Sequence, residues 1–183
     1  NTTQENRGND LWDVALKYAA KFSGHQFAAQ VAFVEDNSRP QIGTDGEATG
    51  FEQVNASAGI LLCNGLNLFV SGSHREQDFH RARDAYSWQI KPGYQHKFFE
   101  AGMTHFALEY GSYNNFMVDA STVARVKDKY KGRTWGAFLV QDFDRIATKI
   151  YLGYRRYEAK VKGNPNVKLK DIDAVMGGMS IKF

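Results

Sequence analysis

The chain has 183 residues, with 23 basic and 20 acidic side chains and a net charge of +3, a balance that does not predict a nucleic-acid partner. Its one cysteine, Cys63, excludes an internal disulfide framework and a cysteine-based zinc cluster. No apolar run approaches the roughly 18 residues of a membrane-spanning helix, since the longest extends only from Ala58 to Cys63.

The composition favours an all-β fold. Aromatic residues make up 14% of the chain and glycine occurs 17 times against 3 prolines, as suits many strands joined by turns. A transmembrane β-barrel has no strong hydropathy signal, because its lipid-facing and lumen-facing residues alternate. Residues 1–9 are polar and lack the apolar segment of a signal peptide, so we expect an exported protein to have lost its N-terminal part.

An alternation of apolar and polar residues with a period of two predicts strands along the whole chain. In the first segment, every even position from Trp12 to Phe22 is apolar or aromatic, and a helix would scatter this set around its circumference. The predicted strands are, in chain order, 11–22, 27–33, 54–62, 66–75, 86–95, 104–110, 135–143, 149–155 and 174–183. The seventh is the least regular, because its alternation leaves Phe138 and Val140 on the polar side.

Short and long connections alternate between these strands. The short ones lie at Ser23-Gly24-His25, at Cys63-Asn64-Gly65, near Lys97 and at Asp142 to Arg145, and the long ones cover about 37–50, 76–85, 114–133 and 161–170. Outer-membrane barrels have short periplasmic turns and long external loops. The pattern therefore predicts a periplasmic C-terminus and external long loops.

Aromatic residues on the apolar side cluster towards the strand ends, with small and aliphatic residues between them. This predicts two aromatic girdles at the two membrane interfaces. The girdle residues are Trp12, Phe22, Phe27, Phe33, Tyr86, Trp88, Tyr94, Tyr110, Trp135, Phe143, Tyr154 and Phe183.

The other side of the strands carries charged residues that a packed core does not tolerate and a water-filled lumen does. We predict the pore-lining residues Asp13, Lys17, Lys21, Arg75, Lys91, Glu109, Lys149, Arg155 and Lys182, with Asp142 as a further acid. Basic residues outnumber acids in this set, which motivates the hypothesis that the pore prefers anions. Balancing acids elsewhere would instead make it nearly unselective.

Three segments carry a resemblance to a known family. Leu11 to Phe33 resembles the mid-chain hairpin of Gram-negative outer-membrane porins of the alphaproteobacterial type, and Tyr151 to Ala159 and Leu169 to Phe183 resemble their last two strands. The resemblance covers most of the chain and implies an all-β fold, a transmembrane antiparallel β-barrel in which residues 1–183 are a single domain and about nine of 16 strands. It also implies a homotrimer in the outer membrane, and recognition of Phe183 by the barrel-assembly machinery.

A porin passes small hydrophilic solutes and ions by passive diffusion, so the resemblance implies no enzyme activity. The sequence supplies no catalytic, metal-binding or cofactor-binding motif: the five histidines lack HExxH spacing, and no P-loop or nucleophile elbow is present. The family's pore-narrowing loop is not identifiable. An odd count of nine strands does not suit a complete single-chain barrel, so we expect further N-terminal strands or a miscount by one.

Alternatives remain open at the level of sequence. The basic run from Arg125 to Arg133 lies in a predicted external loop, where it is a solvated segment or contacts outer-membrane lipid and lipopolysaccharide rather than nucleic acid. A non-channel outer-membrane barrel, acting as an enzyme or an adhesin, is the second interpretation. A water-soluble β-barrel or sandwich is the third, and the clustering of aromatics at strand ends argues against it.

Overall fold

The computed structural model describes residues 11–36, 50–77, 84–115, 129–162 and 169–182. It contains nine strands and one turn of 3-10 helix at Asp144–Ile146. The strands are β1 (Leu11–Phe22), β2 (His25–Asp36), β3 (Phe51–Leu61), β4 (Leu66–Gln77), β5 (Ala85–Phe99), β6 (Gly102–Asn114), β7 (Lys129–Phe143), β8 (Thr148–Lys162) and β9 (Ile172–Ile181). The all-β prediction is confirmed.

All nine strands belong to one antiparallel sheet in sequence order, each paired with the next. In the part of the chain that the structure describes, β1 and β9 each pair on one side only, so the sheet is open rather than closed into a barrel. Within the same residues, none of the helical structure is long and apolar enough to cross a membrane.

The short connections follow from local turn chemistry. Ser23 and Gly24 both have positive φ angles, 46° and 79°, as the central residues of a type I′ turn do. Gly65 has φ 90°, and a Cβ atom there would collide with the backbone oxygen of Gln95. The alternation of short and long connections is confirmed, and we call the two edges of the sheet the short-turn end and the long-loop end.

Two predicted connections are wrong, and β9 ends at Ile181 although the ninth strand was predicted to continue to residue 183. The turn near Lys97 lies instead at residues 100–101, because a bulge between His96 and Phe99 lets β5 continue until Phe99 pairs with Gly102. The predicted loop over 114–133 ends at Lys129, where β7 begins. Charged residues at alternate positions resembled a loop, but a ladder of backbone hydrogen bonds does not require apolar side chains.

The strands are staggered along the sheet. Successive register pairs connect Tyr18 of β1 with Asp173 of β9. Tyr18 is seven residues from Leu11, at the long-loop end of β1, whereas Asp173 is one residue from Ile172, at the long-loop end of β9. Paired rows therefore run obliquely to the line of strand ends, as in sheets whose strands tilt around a barrel.

The register divides the side chains between two faces. The apolar face carries the even-numbered residues of β1, the odd-numbered residues of β2 and the residues paired with them across the sheet, and the polar face carries the others. Ala85 is the one hydrophobic residue classed as buried within the described ranges. Most of the exposed large hydrophobic side chains lie on the apolar face, including Leu16 at 72% exposure and Val175 at 74%.

Candidate functional site

The polar face brings the predicted pore-lining residues together. Asp13, Lys17 and Lys21 lie on β1, and Arg75, Lys91 and Glu109 lie on β4, β5 and β6 at positions that register places on the same face. Lys149 and Arg155 follow on β8, and Lys182 comes directly after β9. The assignment of these residues to a single face therefore agrees with the register, while their contact with a pore remains a prediction.

Glu109 is at the centre of a buried ion-pair cluster on this face. Its side chain is 1% exposed, and its Oε2 accepts a hydrogen bond from Nη2 of Arg155 at 2.8 Å and lies 3.0 Å from Nζ of Lys91. The guanidinium of Arg155 also lies over the ring of Phe138, 5.3 Å from its centroid, and donates to the hydroxyl of Tyr157. One carboxylate thus links β5, β6 and β8.

Gly136 lets this ion pair cross an intervening strand. It pairs with Glu109 on one side and with Arg155 on the other, so it is the β7 residue between them. The ring of Phe138, which also belongs to the polar face, fills space over two glycines: a Cβ atom would lie 3.3 Å from it at Gly136 and 2.7 Å from it at Gly153. The position predicted for Phe138, on the polar side of its strand, agrees with the register, and the two glycines leave the space that its ring fills.

We expect Gly136→Ala to lower the free energy of unfolding by about 1–3 kcal/mol, the usual cost of overpacking. The added Cβ atom would lie 2.5 Å from the backbone oxygen of Tyr154, which cannot move without breaking the β7–β8 ladder. Urea unfolding followed by tryptophan fluorescence measures the change. Gly59→Ala is the matched control, because a Cβ atom there meets its nearest neighbour at 3.6 Å, and equal destabilisation of the two variants would contradict the argument.

A second cluster lies nearer the short-turn end. Oδ2 of Asp142 accepts a hydrogen bond from Nζ of Lys149 at 3.1 Å and lies 3.4 Å from Nε2 of His105. A third cluster surrounds Arg75, whose Nε donates to Oε1 of Gln53 at 2.7 Å and whose guanidinium lies 4.2 Å from the centroid of Phe51. Polar and charged groups on this face are therefore linked across neighbouring strands.

The lysines of β1 differ from these clusters. Lys17 and Lys21 are exposed, and neither forms an ion pair with a carboxylate in the described ranges. Register pairs them with Gln30 and Gln26, which carry no charge. On the polar face of β1, two lysines without an ion pair therefore outnumber one acid, Asp13, that also has none among the described residues.

Asp36 is a polar-face acid that the sequence prediction missed. It pairs with Leu11 and Phe51 in the last row of β2, whereas the alternation assigned faces in strand two only as far as Phe33. The regular strand positions of the polar face include six basic residues, Lys17, Lys21, Arg75, Lys91, Lys149 and Arg155, and four acidic ones, Asp13, Asp36, Glu109 and Asp142. The basic excess remains, although it is smaller than the sequence indicated.

A shallow depression of 480 Å³ lies where β1 to β4 approach the short-turn end. Most of its lining residues belong to the polar face, among them Ala19, Lys21, Gln26, Gly59 and Phe69. In this depression, small residues of the polar face lie beside Lys21, two amide side chains, Gln26 and Asn67, and the ring of Phe69.

The predicted girdle residues, apart from Phe183, which lies outside the described residues, share the apolar face. Several of them pair across strands: Trp12 with Phe33 at 5.1 Å between ring centroids and Trp88 with Tyr110 at 5.4 Å towards the long-loop end, and Trp135 with Tyr154 at 5.3 Å near the midpoints of β7 and β8, the two strands that extend furthest past this level. Tyr86 lies beside the second pair in sequence, and Phe22, Phe27, Tyr94 and Phe143 lie nearer the short-turn end. Two levels of aromatic rings thus border the apolar face.

Comparison with known proteins gives no relative on which to rest a function. No protein-family model matches the chain, and no curated protein has a sequence that matches it. The function is therefore inferred from the geometry of the two faces of the sheet.

Proposed function

We propose that the chain is part of an outer-membrane porin, a transmembrane β-barrel whose polar face lines a water-filled channel and whose apolar face contacts lipid. The observation that carries the proposal is the separation of the side chains: an exposed apolar face with an aromatic level towards each end, opposite a face with linked charges. Lipid on one side and water on the other is the environment that suits both faces at once.

The apolar face needs a cover of low polarity. Leu16, Val70, Leu108, Leu139 and Leu152 on five different strands are all exposed on it. Covering one such side chain contributes about 1.5–3 kcal/mol. An apolar surface that extends across nine strands is far larger than the patches that proteins in water usually expose.

The spacing of the two aromatic levels fits a membrane. Between aromatic residues on the same strand, Trp12 is ten residues from Phe22 and Trp135 is eight from Phe143, while Phe27–Phe33 and Trp88–Tyr94 are each separated by six. Six to ten residues of strand extend about 20–33 Å, a range that includes the apolar band of about 25 Å in a transmembrane barrel. A water-soluble sheet has no reason to place its aromatic residues at this separation.

The open edges of β1 and β9 must be paired in lipid, because an unpaired backbone group costs several kcal/mol there. The stagger of the strands suits closure into a barrel together with further strands, as in the 16-stranded barrel implied by the porin resemblance. In this proposal the short-turn end faces the periplasm, the long loops are external, and the barrel assembles as a trimer.

A planar-bilayer recording tests the channel directly. Purified protein inserted into a bilayer of neutral lipid is expected to give large, steady single-channel conductance. Heat-denatured protein from the same preparation is the control. Insertion without conductance would contradict a channel and would favour a plugged, non-channel barrel.

The proposed channel prefers anions. Glu109 and Asp142 each have two cationic or ionisable partners on the polar face, whereas Lys17 and Lys21 have no carboxylate partner among the described residues. Fixed positive charge along a pore wall lowers the barrier for anions and raises it for cations. The sign of the zero-current potential in a salt gradient measures this preference.

A further inference from the structure

Three basic residues form a cluster on the apolar face, beyond its aromatic level. Lys131 and Arg133 precede Trp135 on β7, and Lys160 lies directly opposite Lys131 on β8. All three side chains are exposed, and none of them forms an ion pair with a described carboxylate. We name Lys131, Arg133 and Lys160 the outer basic cluster.

The register of the cluster is unfavourable without a counter-ion. Like charges directly opposite each other on neighbouring strands are destabilising, and Lys131 and Lys160 are such a pair. Two residues further along both strands, the backbone register pairs Lys129 with Lys162.

Nearby acids do not neutralise the cluster, because they surround another residue. Arg156 lies 2.7 Å from Asp171, 3.6 Å from Asp173 and 3.7 Å from Glu158, measured between its guanidinium nitrogens and their carboxylate oxygens. Glu158 is the register partner of Arg133, but the carboxylate contact it makes is with Arg156. A separate anion bound between them would neutralise part of the positive charge of these three exposed side chains.

We infer that the outer basic cluster binds the phosphate group of an anionic lipid in the leaflet that faces the long loops. The inference rests on the proposed function, since it requires the apolar face to contact lipid. The cluster stands at headgroup depth: the Trp135–Tyr154 pair lies on its membrane side, and aromatic rings prefer the interface between acyl chains and headgroups. Lysine and arginine side chains at that level reach phosphates while their alkyl stems stay against lipid.

Quenching of Trp135 by brominated lipid tests the inference, because this ring is two residues from Arg133. In a Trp12→Phe, Trp88→Phe background, Trp135 is the remaining tryptophan of this chain. The protein is reconstituted in phosphatidylcholine vesicles with a small fraction of brominated phosphatidic acid or, in parallel, of brominated phosphatidylcholine. We expect stronger quenching by the phosphatidic acid at the same mole fraction.

The decisive variant is K131A/K160A in the same background. Each lysine near a membrane surface changes anionic-lipid binding by about fivefold, so the variant's preference for phosphatidic acid is expected to fall by tenfold or more. K97A/R145A is the matched control, since it removes two basic residues at the short-turn end and is expected to keep the preference.

The outcomes separate the two proposals. No quenching by either brominated lipid would overturn insertion into lipid and this inference with it. Quenching by both lipids without a preference for phosphatidic acid would overturn the lipid site alone, as would equal losses in K131A/K160A and K97A/R145A. Loss of the preference when inorganic phosphate is added at constant ionic strength would assign the cluster to free phosphate instead of lipid.

Discussion

Replacing Glu109 with alanine is expected to lower the free energy of unfolding by about 2 kcal/mol. Removing one partner of a fully buried ion pair costs about 3–5 kcal/mol. The cost is smaller here because Lys91 and Arg155 are 35% and 26% exposed and retain access to water. Urea unfolding of the reconstituted protein, followed by tryptophan fluorescence, measures the change.

Two further variants test whether loss of the ion pair causes the lower stability of Glu109→Ala. Glu109→Gln keeps the shape of the side chain and one acceptor oxygen, so it is expected to lose less stability than Glu109→Ala. Asp13→Ala is the matched control, because Asp13 is an exposed acid of the same face that has no ion pair with a described residue. A loss for Asp13→Ala as large as that for Glu109→Ala would show that general charge repulsion, not this ion pair, is responsible.

The strands and their two faces could be predicted from the sequence because a period of two is a local signal. Each residue from Trp12 to Phe22 can be assigned to a face without knowing which strands lie beside this one, and the same holds for most of the nine strands. Strand ends were harder to predict. Three of the five residues from Lys129 to Arg133 are basic and one is glycine, and their place in β7 depends on pairing with Lys162 to Glu158 on a separate segment.

The ion pairs of the polar face depend on register and could not be predicted. The sequence assigns Glu109 and Arg155 to one face. It does not show that both residues align with Gly136, because 45 residues separate them and the register of each pair of strands is set by the folded sheet. Phe138 is a similar case. It seemed out of place on a polar face until the register brought Gly153 opposite it, where the missing Cβ atom leaves room for the ring.

The largest functional effect is expected from reversing the two lysines of β1. Lys17 and Lys21 are two of the six basic residues on the polar face, and K17E/K21E changes the charge of that wall by four units. We expect the anion-to-cation permeability ratio to fall by about tenfold, equivalent to roughly 1.4 kcal/mol, and the zero-current potential to change sign. K17R/K21R is the control, since it keeps both charges and is expected to keep the anion preference.

Salt concentration distinguishes an electrostatic effect from a change in pore shape. The Debye length falls from about 10 Å at 0.1 M salt to about 3 Å at 1 M, so fixed charges act on fewer of the passing ions at high salt. The difference between K17E/K21E and the unaltered protein should therefore shrink as salt rises, while a shape effect would persist. If K17E/K21E leaves the zero-current potential unchanged at low salt, the β1 part of the polar face does not line the path of the ions, and the channel must be sought elsewhere in the protein.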